Sequence, residues 1–128
     1  MLMPEMVSAQ SVPEGIHTVG TGAPTLCGMT GPSLSDIERQ VLSDNSFAEE
    51  NSTDKYRVFN RTRDLVQMVF PRAQLHPFAM ATCRKVVPNG AGSTIQRELR
   101  CDGTRAQCDA VFLEFKQLDD RVIGNFGR

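Results

Sequence analysis

The sequence has 128 residues, 40% apolar and 23% charged, the composition of one globular domain with a modest core rather than of a coiled coil or a low-complexity chain. No apolar run reaches the roughly 18 residues that a membrane-spanning helix needs, so no membrane span is expected. The net charge is −1, yet it is unevenly placed: residues 1–54 set Arg39 alone against eight acids, and residues 55–105 set ten cations against three acids. Such asymmetry either marks an anionic partner or is cancelled when the acidic half folds against the basic half, which is the commoner outcome.

Residues 1–33 hold four of the seven prolines and five of the ten glycines, with no helical or strand period, and read as a flexible N-terminal arm. Val7-Ser8-Ala9 matches the small-residue end of a signal-peptide cleavage site, although no basic region precedes it. Residues 1–9 are therefore either a signal-peptide remnant or an ordinary flexible start. The remaining residues, 34–128, are read as a single small α+β domain.

Its first element is a short helix over about 35–44, opened by a Ser35–Glu38 capping box, with Leu34, Ile37, Val41 and Leu42 on one face. Over 55–70, "YRVFN" and "LVQMVF" are rich in β-branched and aromatic residues and read as a hairpin turned by "NRTRD"; one helix over the same span is the alternative. "FAMATCRKVV" follows as a strand, Pro88-Asn89-Gly90 as a turn, and "STIQRELRC" as a strand with Ile95, Leu99 and Cys101 on its inner face. Arg97 interrupts that face and is expected to sit near an edge with its charge reaching water. Thr104 and Gln107 form a second capping box. Cys108, Val111, Phe112, Phe115, Leu118 and Val122 then recur at helical spacing up to Gly124, predicting a helix over 105–123. The fold class is thus α+β: an antiparallel sheet of three to five strands, covered by a C-terminal helix and preceded by a short N-terminal one.

The four cysteines allow two disulfides in three connectivities. A Cys101–Cys108 bridge would join the end of one inner strand row to the first turns of the covering helix. A Cys27–Cys83 bridge would tie the arm to the sheet. Both are expected, and disulfides persist only in oxidising compartments. The competing use of these side chains is structural zinc held by His76, Cys83, Cys101 and Cys108, but their spacing lacks the chelating pairs of zinc sites. No Cys-x-x-Cys occurs.

Catalytic residues are not evident. His17 lies in the arm, His76 lies between two prolines, and no nucleophile elbow, zinc-protease motif or phosphate-cradling loop occurs. Asp119 and Asp120, like Glu49 and Glu50, read as solvated surface. Asn51-Ser-Thr and Asn60-Arg-Thr match the glycosylation pattern, which chance often produces. The candidate binding surface is a basic patch of Arg57, Arg61, Arg63, Arg84, Lys85 and Arg100, with Tyr56 and Phe59 interleaved. Together these features lead to the expectation of a non-catalytic, cofactor-free interaction module, periplasmic or secreted, that binds a protein or polyanionic partner through a basic sheet surface. The alternative is a cytoplasmic nucleic-acid-binding or regulatory subunit with reduced cysteines.

Overall fold

The computed structural model describes residues 15–19, 22–90 and 92–126. Residues 1–9, read as a signal-peptide remnant or a flexible start, lie outside the described residues.

The chain runs β1 (Gly15–Val19), β2 (Thr25–Leu26), β3 (Met29–Thr30), α1 (Leu34–Leu42), β4 (Ala48–Glu49), β5 (Tyr56–Arg61), a 3-10 turn (Thr62–Asp64), β6 (Val66–Pro71), β7 (Met80–Asn89), β8 (Gly92–Cys101) and α2 (Arg105–Phe126). One six-stranded sheet has the order β1-β8-β7-β6-β5-β4. Strands β4 to β8 are antiparallel, as expected, and β1 adds an edge strand parallel to β8. Residues 56–71 form the hairpin rather than the helix. The stretch read as an arm therefore supplies β1 to the sheet and folds β2 and β3 into a separate hairpin. That hairpin turns on Cys27 (φ 47) and Gly28 (φ 85), two left-handed residues in succession. Positive φ at both central residues matches the right-handed twist of the flanking strands, and a two-residue loop needs it.

Strand alternation gives the sheet two apolar faces. On one, Phe59, Met68, Phe70, Ala81 and Cys83 pack with Leu26 of β2 and with Leu34, Ile37 and Val41 of α1. On the other, Val58, Val69, Met80, Leu99 and Cys101 pack with Cys108, Val111, Phe112 and Phe115 of α2. The sheet is the middle of three layers, with α1 and the β2–β3 hairpin on one side and α2 on the other.

Both helices start on side-chain caps. At α1 the cap is Ser33, two residues before the expected Ser35: its extended backbone turns the hydroxyl to accept from Asp36 N and donate to Asp36 Oδ2. Asp36 thus takes the place expected of Glu38. At α2 the expected box forms in full, with Thr104 N donating to Gln107 Oε1 and Gln107 N to Thr104 Oγ1. Gly103 precedes it where a Cβ would stand 2.8 Å from Phe78 Cγ, so only glycine carries the strand into the helix there. The helix continues through Gly124 to Phe126, past the stop expected at 123. Its inward face is Cys108, Val111, Phe112, Phe115 and Asp119, whereas Leu118 is 38% exposed. Position 119 is one turn beyond Phe115 and continues the buried row better than 118 does.

Candidate functional site

The two cystines join the sequence's expected partners. Cys27–Cys83 spans 6.3 Å between Cα atoms and fixes the β2–β3 hairpin to β7 on the α1 side. Cys101–Cys108 spans 5.7 Å and fixes the end of β8 to the first turn of α2 on the other side. Each covering layer thus has its own covalent anchor to the sheet. In the chain-entropy model, with sequence separations of 56 and 7, they contribute about 4 and about 2 kcal/mol respectively.

The four side chains weighed as a competing zinc set, His76, Cys83, Cys101 and Cys108, are divided between the two sides of the sheet. Cys83 lies beneath the α1 layer, and Cys101 and Cys108 lie beneath α2. His76 stacks on Phe78 with ring centroids 4.9 Å apart. Ligand-type atoms of Cys27, Cys83 and Glu98 do lie within 4.8 Å of one another, but both sulfurs are held in the cystine. The Glu98 carboxylate accepts the Cys27 N–H at 2.8 Å and faces Lys85 Nζ at 3.8 Å. A cystine has no thiolate to offer a metal, so the cluster serves as a hairpin anchor.

The six cations of the expected patch fall in separate places. Arg57 and Arg61 share one side of β5 with Phe59, and Arg63 is exposed on the 3-10 turn. Lys85 and Arg100 also lie on the α1 side, Lys85 beside Glu98 and Arg100 reaching Gly22 O at 2.9 Å. Arg84 points to the other side of the sheet, toward Asp119 of α2. The β7–β8 hairpin therefore does not gather Arg84, Lys85 and Arg100 on one surface, because successive strand residues alternate faces.

Most of these cations are matched by carboxylates. Arg57 lies over the Phe59 ring and forks onto Glu49 at 2.7 and 3.1 Å. This pairing, with a Ser52 hydroxyl donor, lowers the Glu49 pKa to about 2. Arg61 lies over Phe47, bonds Asp64 at 2.9 Å and stands 3.9 Å from Asp44. Asp44 is held below the usual carboxylate range, first by its hydrogen bonds from Ser46 and then by Arg61 and Arg63. Arg100 is buried and bonds Asp102 at 2.9 Å. Much of the acidic half thus folds against the basic half.

Two charges, Arg97 and Asp119, lie where their sequence positions do not lead one to expect them. Arg97 does not reach water: it is 2% exposed, beneath α2. Asp119 is not solvated surface: it is 6% exposed and faces Arg97. Arg97 Nε and Nη2 donate to the two Asp119 oxygens at 2.7 and 2.8 Å, Nη1 donates to Thr82 Oγ1 at 3.1 Å, and the guanidinium lies over the Phe115 ring. The forked pair replaces the water that a buried guanidinium loses. Opposite charges at inward positions of two elements expected to pack together were the available signal. Beside the pair, Ile95, Arg97, Phe112, Lys116 and Asp119 line a cavity of about 10 Å³.

No family model matches the chain. No curated protein and no solved structure shows a significant match to it. No helix among the described residues is long and apolar enough to cross a membrane.

Proposed function

We propose that this protein is a non-catalytic interaction module of an oxidising, non-cytoplasmic compartment, and that it binds a partner protein. The observation that carries the reading is the pair of cystines. Each closes between a covering layer and the sheet, and cystines of this structural kind persist where thiols are not kept reduced. A scaffold braced on both faces is suited to presenting a surface of fixed shape.

A protein partner is favoured over a polyanion by the distribution of the cations. Arg57, Arg61, Lys85 and Arg100 each have a carboxylate within 4.0 Å, Arg84 shares Asp119 with Arg97, and the five cations lie on two faces of the sheet. Polyanion binding draws on a continuous field of cations not already neutralised. The test has two arms. Crosslinking in intact source cells, followed by isolation of the compartment, is expected to give a protein adduct at a defined stoichiometry. Heparin and single-stranded DNA are expected to bind weakly at low salt. Tight heparin binding that falls steeply with salt, without any protein adduct, would return the reading to a polyanion ligand.

A further inference from the structure

On the α2 side of the sheet one row of polar side chains crosses four strands. Asn60 of β5 pairs with Gln67 of β6, Gln67 with Arg84 of β7, and Arg84 with Arg97 of β8. All four share this side with Val58, Val69 and Leu99, which lie two residues along their strands from Asn60, Gln67 and Arg97 and belong to the core beneath α2. At the β8 end, α2 closes over the row through Asp119 and Arg97. Asn60, Gln67 and Arg84 remain half-buried. Neighbouring strands are about 4.8 Å apart, so these three span about 10 Å.

Hydrogen bonding within the row runs out at Arg84. Gln67 Nε2 donates to Asn60 Oδ1 at 3.0 Å, and Asn60 Nδ2 donates to Glu50 Oε1 at 3.2 Å. Arg97 occupies both oxygens of Asp119. Arg84, directly across from Arg97, has among the described residues only an approach of 3.9 Å to Asp119 Oδ1, beyond hydrogen-bond length. Two guanidiniums opposed in register thus share one carboxylate, an unfavourable arrangement that a second anion would relieve. With 21% of its side chain exposed, Arg84 presents donors to an incoming ligand.

We propose that the Asn60–Gln67–Arg84 row binds the carboxylate of an acidic side chain on an extended segment of the partner protein. The inference rests on the interaction reading above and names the chemistry that the surface recognises. Arg84 takes the carboxylate in its guanidinium fork, and the two amides meet the backbone of the segment. About 10 Å accommodates roughly three residues of extended chain at ~3.3 Å each.

The test titrates a labelled pentapeptide with one central glutamate, and its glutamine counterpart, into the intact protein at low salt. The glutamate peptide is expected to bind at least about tenfold tighter, the loss of one charge-assisted pair being of that order. R84Q should remove the difference, R84K should retain part of it, and R57Q, which changes the same charge on the opposite face, should leave it intact. R84Q is expected to melt no lower than wild type, since it removes a cation opposed to Arg97. Amide shift mapping on the unmodified protein gives a readout free of any folding effect, and its changes should centre on Asn60, Gln67 and Arg84. Equal affinity for the two peptides, a loss in R57Q as large as in R84Q, or shifts centred elsewhere would each overturn the assignment. Failure of the interaction reading is separately visible as the absence of a protein adduct in cells.

Discussion

Replacing Asp119 with alanine removes the only carboxylate within 4.0 Å of either Arg97 or Arg84 among the described residues. The Arg97 side chain is 3% exposed, so water does not take over the lost contacts. Deleting one partner of a buried ion pair leaves an uncompensated charge and costs about 3–5 kcal/mol. Two cations opposed in register place Asp119→Ala toward the upper part of that range. A domain of this size has a total stability of roughly 5–15 kcal/mol, so the variant gives up about a fifth of it or more. At about 4 °C per kcal/mol the melting temperature should fall by about 12–20 °C. The double replacement Arg97→Leu with Asp119→Leu should recover most of the loss, because apolar residues replace a desolvated pair with little net penalty. Urea unfolding with the slope fitted separately for each variant is the assay. Asp119→Ala within 1 kcal/mol of wild type at unchanged slope would refute the claim that the pair is buried and closed.

Gly103→Ala should destabilise by about 1–3 kcal/mol, since its Cβ would meet Phe78 Cγ at 2.8 Å and Gln107 Oε1 at 2.7 Å; differential melting against wild type reads this directly. Tyr56 is the only tyrosine, and burial, reinforced by Glu114, raises its pKa to about 12. Its absorbance should therefore titrate near 12 when folded and near the ordinary value of about 10 when unfolded. Stability linked to it should decline as the pH rises between those two values. Glu49 should titrate at about 2 by carboxyl-carbon NMR, and Arg57→Gln should return it toward the ordinary range. Because its folded pKa is depressed, its stabilising contribution is complete above the ordinary carboxylate range and is lost as the pH falls toward 2.

Local signals carried much of this fold. Period-2 alternation and Pro88-Asn89-Gly90 located the β7–β8 hairpin, and Thr104 with Gln107 located the start of α2, because each is a contact between near neighbours. Cysteine pairing was legible once Cys101 and Cys108 were placed on packed elements. Strand β1 was not legible: Gly15–Val19 is held by parallel pairing with β8, which leaves no local period. The α1 cap was displaced because Ser33 and Ser35 offer the same chemistry, and the buried Leu34 selects the earlier one. The cations of the basic patch divide between two faces for a related reason. A charge count over residues 55–105 ignores that Arg84 and Lys85 face opposite sides, and that Glu49 and Asp44 arrive from the acidic half to meet Arg57 and Arg61.

Each covering layer is covalently fastened to its own face of the sheet. Peptide mapping of protein isolated from its source cells under immediate alkylation, without reductant, tests it most directly. The expected result is Cys27 linked to Cys83 and Cys101 linked to Cys108, with no cysteine alkylated. Four alkylated cysteines, or a Cys83–Cys101 link, would contradict both the anchoring of the layers and the oxidising compartment inferred from it.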